Sequence, residues 1–297
     1  MFSKKAFISV FLFLMLLSLS NYGKSIKVPR EQYSSPYSVE YSFTIDDLVG
    51  DIVDSPRGAV SIQAAIPYDE WYSSKTLSRY GSWGPRSRHY SKPSAMDSWS
   101  VEKCRERVIA VGLLFKGYPY QHHHIPDWEH PESWPWKPVS SGKRGKGLDC
   151  SNFTSFVYNL AFGLKFTSDV SKQSAIGDAT GPGPGTNKWI VKRIPLPEKY
   201  EDQIKVLRTG DLVFSFKKGS KSIGHAFIWV GRIGKSPDDT PLFLDSGGGA
   251  TPDCNGIYVP DGVYLRPYRK KYWPYTHVSH AIRFFYSKEN RKNLSTE

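Results

Sequence analysis

Gly147-Leu148-Asp149-Cys150-Ser151-Asn152-Phe153 and the run that follows to Leu164 decide the fold. Phe153, Phe156, Val157, Leu160 and Leu164 recur at helical spacing and predict an amphipathic helix, with Gly163 near its end. That places Cys150 at the helix N-terminus, where unpaired backbone N–H groups and the positive end of the macrodipole favour thiolate over thiol. A thiolate is a useful nucleophile at neutral pH. The competing reading is a buried, inert cysteine beside an aspartate cap, and a nearby base decides between the two.

The chain offers such a base. Gly210-Asp211-Leu212-Val213-Phe214-Ser215-Phe216 reads as a turn and a strand, and Gly224-His225-Ala226-Phe227-Ile228-Trp229-Val230-Gly231 as a second strand after a lysine-rich turn. His225 shares a face with Phe227 and Trp229. Pro241-Leu242-Phe243-Leu244-Asp245-Ser246 predicts a third strand with Asp245 near its far end. Antiparallel pairing of the last two strands brings Asp245 beside His225, where a carboxylate orients an imidazole and stabilises its charged form. The expected fold class is α+β, with a helix bearing Cys150 packed on an antiparallel sheet that bears His225 and Asp245.

The ordered set Pro119-Tyr120, Asp149-Cys150-Ser151, Gly210-Asp211-Leu212-Val213-Phe214, Gly224-His225 and Asp245 resembles the NlpC-type bacterial cell-wall cysteine endopeptidases, which are papain-like. The resemblance spans about Val101 to Phe285. It implies Cys150 as nucleophile, His225 as general base and then general acid, and Asp245 as the residue that sets the histidine tautomer. It also implies Tyr120 and Ser151 near the oxyanion or substrate, and no metal or organic cofactor. The implied substrates are peptidoglycan stem peptides, often cut between γ-D-glutamate and a diamino acid. A catalytically silent wall-peptide-binding module, and an amidase or acyltransferase on the same cysteine and histidine, are the alternatives. The chain departs from the family pattern at Asn152, where relatives commonly have glycine, and at Asp245, where relatives most often have histidine. It also departs after Tyr120, where Gln121-His122-His123-His124 replaces an aromatic and glycines. His277 and His280 are rivals for the third position.

Outward from this core, Lys4 and Lys5 precede an apolar run from Ala6 to Leu19 and then a polar stretch, the grammar of a signal peptide over residues 1–25. The run is shorter than the ~20 residues that span a bilayer, so an exported protein without stable membrane insertion is expected, periplasmic or secreted and wall-associated. Residues 26–98 form an N-terminal extension of unknown fold, with one strand-like alternation from Val60 to Ile66 and an exposed-looking Trp83. Residues 99–290 are the peptidase domain and 291–297 a polar tail. Ser100 is read as the cap of a helix carrying Val101, Cys104, Val108, Val111 and Leu114 or Phe115 on one stripe, with Cys104 a small core residue.

From Lys116 to Gly147 the chain is rich in proline and tryptophan without periodicity, a loop of the kind that walls a site. Its three adjacent histidines diverge on a loop and lack a second ligand cluster, which disfavours a metal reading. With 39% hydrophobic and 23% charged residues the composition is globular, and the formal charge of +12 favours an anionic polymer, wall or membrane as partner. Nothing in the chain reads as a nucleic-acid motif. Loss of residues 1–25 removes Lys4, Lys5 and Lys24 and no acid, which leaves +9. Three cysteines exclude a disulfide framework, and the odd count makes a Cys104–Cys254 bridge with Cys150 free arithmetically attractive.

Overall fold

The computed structural model describes residues 25–53, 74, 78, 89–120, 148–177, 179–182, 188–249, 251–271 and 277–285. Five α-helices lie in these segments: α1 (Ile45–Val53), α2 (Val101–Leu113), α3 (Cys150–Phe162), α4 (Val170–Ser174) and α5 (Tyr200–Val206). The strands are β1 (Ser38–Val39), β2 (Ala179–Pro182), β3 (Lys188–Pro195), β4 (Leu212–Phe216), β5 (Ile223–Trp229), β6 (Gly234–Lys235), β7 (Leu242–Gly247), β8 (Gly262–Pro267) and β9 (Val278–Phe285). Seven strands make one antiparallel sheet in the order β2-β3-β9-β4-β5-β7-β8, and β1 pairs with β6 apart from it. The fold is a mixed assembly of helices and an antiparallel sheet. Residues 1–24 of the predicted signal peptide, the Val60–Ile66 alternation, Trp83, the histidines at 122–124 and the 291–297 tail fall outside the described residues.

Strand alternation divides the core in two. Ala226 and Ile228 of β5, with Leu212 and Phe214 of β4, join the helices in the larger cluster, and Phe227, Trp229, Phe243 and Tyr268 pack on the other face with Ile204 of α5. His225 is in phase with Phe227, their ring centroids 6.2 Å apart, as its place in the alternation predicts.

One expectation about α3 is overturned. The stripe reading makes it amphipathic, yet every residue from Cys150 to Phe162 is buried. Its polar side is satisfied internally: Thr154 Oγ1 donates to Gln173 Oε1, Ser155 Oγ to the Phe166 carbonyl, and the Tyr90 N–H to Asn159 Oδ1. A helix whose polar side chains find protein partners can be enclosed on all sides without leaving unpaired groups. Gly163 ends it at φ +70°, and a Cβ there would lie 2.6 Å from the Tyr90 carbonyl oxygen, so conformation and space both require glycine.

The segment before α2 is part of the same core. Leu48, Val49 and Ile52 of α1 are buried in the larger cluster. Arg107 of α2, itself fully buried, donates from Nη1 and Nη2 to the Asp51 carboxylate at 2.6 and 2.8 Å and from Nε to the Ala161 carbonyl at 2.9 Å. One guanidinium thereby ties α1 and α3 to α2. Ser100 caps α2 by accepting the Lys103 N–H, Cys104 is buried, and Phe115 rather than Leu114 completes the stripe. The Cys104–Cys254 bridge is not formed. All three thiols are free, with Cys104 enclosed in the core and Cys254 half-exposed.

Candidate active site

Five hydrogen bonds, three of them local, set the position of Cys150. The Asp149 side chain caps α3 by accepting the Asn152 N–H at 2.7 Å, and the Asn152 amide returns a bond to the other carboxylate oxygen at 2.9 Å. Ser151 Oγ also donates to Asp149, at 3.2 Å. Upstream, the Leu148 N–H donates to the Pro119 carbonyl and Ser246 Oγ donates to the Leu148 carbonyl. The residue before the cap is thus tied both to the Tyr118–Tyr120 segment and to β7, one residue from Asp245.

The Tyr120 segment is itself pinned to β8. The Val263 N–H donates to the Tyr118 carbonyl at 2.8 Å and the Gly117 N–H to the Val263 carbonyl at 2.9 Å. Gly262, at φ +99°, leaves room for this approach, since a Cβ there would sit 1.9 Å from the Tyr118 oxygen. Tyr120 then pairs with Leu148 in a parallel bridge, which places it alongside the approach to Cys150.

The sheet delivers the other groups. Strands β5 and β7 are antiparallel neighbours, as the sequence reading expects, with Ile228 opposite Leu244 and Trp229 opposite Phe243. Continuing that register puts Asp245 opposite Phe227 and His225 on the diagonal. His225 Nε2 lies 2.7 Å from Asp245 Oδ2, and the Cys150 side chain is hydrogen-bonded to the same ring. With Nε2 engaged by the carboxylate, Nδ1 is the nitrogen left for sulfur. The structure therefore brings Cys150, His225 and Asp245 into one chain of contacts.

Burial by itself would depress the His225 pKa, but the Cys150 sulfur and the Asp245 carboxylate outweigh it and hold it up at about 10. Asp245 is also buried, which works against its charge. The Arg266 guanidinium beside it and its bond to His225 prevail and keep its carboxyl below the ordinary range. Sulfur, imidazole and carboxylate are thus arranged to keep the ring charged at neutral pH.

Arg266 is the residue that the sequence reading missed. It lies on β8 opposite Phe243, diagonal to Asp245, and its Nε donates to Asp245 Oδ1 at 2.7 Å. The one available signal is an arginine inside the apolar run Gly262-Val263-Tyr264-Leu265-Arg266, and no motif marks it.

The rival histidines have other surroundings. His280 bonds the Ser174 carbonyl from Nε2 at 2.9 Å, receives Arg193 Nη2 at Nδ1 at 3.1 Å, and stacks on Phe214. His277 lies in the turn before β9, and its carbonyl accepts the Phe216 N–H. Asp211 of the Gly-Asp-Leu-Val-Phe segment is structural, with Arg283 bonding both carboxylate oxygens and the Arg208 N–H a third donor. No group of three or more His, Cys, Asp or Glu suited to a metal ion occurs among the described residues. No helix among them is long and apolar enough to cross a membrane.

The NlpC/P60 family model matches residues 137–280. Among solved structures, the chain is similar to an NlpC/P60 family protein from Bacillus cereus ATCC 10987, with 19% identity over 64% of this chain and 40% of that one, at a TM-score of 0.33. It is also similar to NlpC1 from Trichomonas vaginalis, with 15% identity over 60% of this chain and 42% of that one, at a TM-score of 0.31. The chain thus spans less than half the length of either. No curated protein matches. Residues 137–280, just under half of the chain, therefore match the NlpC/P60 family.

Proposed function

We propose that this protein is an exported, papain-like cysteine endopeptidase that hydrolyses amide bonds in peptidoglycan stem peptides, of the γ-D-glutamyl–diamino acid type. The observation that carries the reading is the contact chain from the Cys150 thiol through the His225 ring to Asp245, assembled at a capped helix N-terminus.

The geometry fits a thioester mechanism. The Cys150 thiolate attacks the scissile carbonyl carbon, and the π electrons move onto oxygen. Asp149 takes up the Asn152 N–H and the Phe153 N–H bonds the Asp149 carbonyl, whereas no described residue engages the N–H groups of Cys150 and Ser151. Among the described residues nothing competes for the Cys150 and Ser151 N–H groups, which are placed to hold the oxyanion. Tyr120, alongside Leu148, walls the same position.

Collapse of the tetrahedral adduct breaks the C–N bond as the His225 imidazolium passes its proton to the leaving amine. The neutral ring then takes a proton from water, hydroxyl attacks the thioester, and the acid product leaves with thiolate and imidazolium restored. Asp245 holds the ring orientation throughout and carries no proton in the cycle. The net formal charge of +9 that is left after loss of residues 1–25 suits a location near anionic wall polymer.

The test is digestion of purified sacculi and of defined muropeptides by the wild type and by Cys150→Ala, with products read by mass spectrometry. Release of new amine and carboxyl ends at a stem-peptide bond by the wild type alone is expected. Full activity in Cys150→Ala overturns the mechanism, and release of sugar fragments or acyl transfer without hydrolysis overturns the reaction class.

A further inference from the structure

The buried arginine behind the carboxylate has more contacts than a neutralising charge requires. Arg266 is buried, with its side chain and that of Asp245 each 3% exposed. Its Nε bonds Asp245 Oδ1, and its Nη2 donates to the Pro260 carbonyl at 2.7 Å and the Gly262 carbonyl at 3.0 Å. Longer contacts reach the Val259 and Gly247 carbonyls at 3.3 and 3.4 Å. A guanidinium fixed on this many acceptors cannot swing away, so the carboxylate it grips is fixed too.

The two carboxylate oxygens are divided, Oδ1 to Arg266 on β8 and Oδ2 to His225 on β5. The three side chains form a slanted row across adjacent strands, and the row ends at Cys150 on α3. Among the described residues, Cys150 from α3 and Asp245 from β7 face the His225 ring, and His225 and Arg266 face Asp245. Among the described residues, Arg266 is the cation behind the row.

We infer that Arg266 is a positioning residue of the cysteine site, extending Cys150–His225–Asp245 into a four-residue relay in which it holds Asp245 ionised and aimed at the histidine. The inference rests on the cysteine-peptidase reading and adds a residue to it. Removing the guanidinium leaves a buried carboxylate with the His225 ring as its remaining counter-charge. Asp245 then takes up a proton at higher pH and releases the ring, and the proton on the ring itself is held more tightly.

The experiment is the pH dependence of Cys150 alkylation by iodoacetamide, followed by peptide mass mapping so that Cys104 and Cys254 are counted separately. Wild type, Arg266→Gln, Arg266→Lys, Asp245→Asn and the Asp245→Asn/Arg266→Gln double variant are compared. Arg266→Gln is expected to move both limbs of the profile to higher pH, the acid limb by about one unit or more. Arg266→Lys, which keeps the charge, restores most of that displacement. In the Asp245→Asn background, adding Arg266→Gln moves the limbs much less than in the wild type.

A merely structural arginine would lower thermal stability and leave the limbs in place, so an unmoved profile in folded Arg266→Gln overturns the inference. An equal displacement in the Asp245→Asn background does the same. Should Arg266→Gln fail to fold, Arg266→Met removes the charge and keeps the aliphatic stem, with the same expected and overturning results. A wild-type Cys150 that alkylates no faster than a free thiol overturns the peptidase reading itself, which separates the two failures.

Discussion

His225, read from the sequence as the general base, and His280, a rival there for the third position, both lie on the central sheet, yet their neighbours drive them in opposite directions. Burial disfavours the charged ring at each site. At His225 a sulfur and a carboxylate overcome that penalty and raise the pKa to about 10. At His280 the Arg193 guanidinium adds to burial and lowers it to about 4. The hydrogen bonds agree, because Nε2 of His280 must donate to the Ser174 carbonyl while Nδ1 accepts from Arg193, which is the neutral tautomer. Burial alone therefore says nothing about function. The sign of the charges around the ring decides which histidine can deliver a proton.

The strongest way to break this contrast is to remove each ring in turn. His225→Ala is expected to lower kcat on muropeptides by about 10³-fold or more, because the leaving amine then has no positioned acid. His280→Gln is expected to leave kcat within about threefold and to act on stability instead. Comparable losses of kcat in the two variants, measured at equal folded fraction, would refute the assignment of roles.

Next in size is Asp245→Asn, with an expected loss of about 10²-fold in kcat and little change in KM. The amide occupies the same space but cannot stabilise imidazolium as a carboxylate does. The rate profile should also lose its basic limb near pH 10 and show one closer to neutrality, since the lost carboxylate is one of the groups that hold the ring proton. A kcat profile identical to that of the wild type would remove Asp245 from the site.

The legibility of the molecule follows the same division. The helix start at Cys150, the antiparallel β5–β7 pair and the His225–Asp245 contact were readable because each is local or follows from alternation along neighbouring strands. Arg266 was not, since an arginine in an apolar strand carries no period and its meaning depends on which strand lies beside it. The enclosure of α3 escaped for a related reason. Its polar residues look solvent-facing until Tyr90, Phe166 and Gln173 arrive from other segments to satisfy them. Strands β2, β3, β8 and β9 were likewise unread, although they supply more than half of the seven-stranded sheet. Asp211 shows the limit of motif reading from the other side: it lies in a signature segment, yet its oxygens close on Arg283 and the Arg208 N–H and face no reactive group.

A smaller effect separates the two histidines in stability. His280 has a depressed folded pKa, so its contribution is fully present above the unfolded value of about 6.5 and is lost as pH falls toward 4. His225 has a raised pKa, and its contribution is present below about 6.5 and lost as pH rises toward 10. Urea titrations of His280→Gln against wild type should therefore converge as pH drops from 7 to 4, by about 2 kcal/mol. Those of Asp245→Asn, in which the ring has lost a carboxylate that raises its pKa, should differ from wild type most below about pH 6.5 and converge toward pH 10. Parallel curves for either variant would mean that the surrounding charges do not govern that ring.

The smallest expected effect concerns the residue behind the nucleophile. The family pattern has glycine where this chain has Asn152, and here the asparagine amide returns a hydrogen bond to the Asp149 carboxylate that caps its own N–H. Asn152→Gly keeps the backbone half of that exchange and deletes the side-chain half, while adding the entropic cost of glycine in a first helical turn. The expected loss is about 1–2 kcal/mol of unfolding free energy. Turnover should stay within about threefold, since Asp149 still receives the residue 152 N–H and Cys150 keeps its place at the helix start. A large fall in kcat with unchanged stability would mean instead that the asparagine side chain serves the reaction directly.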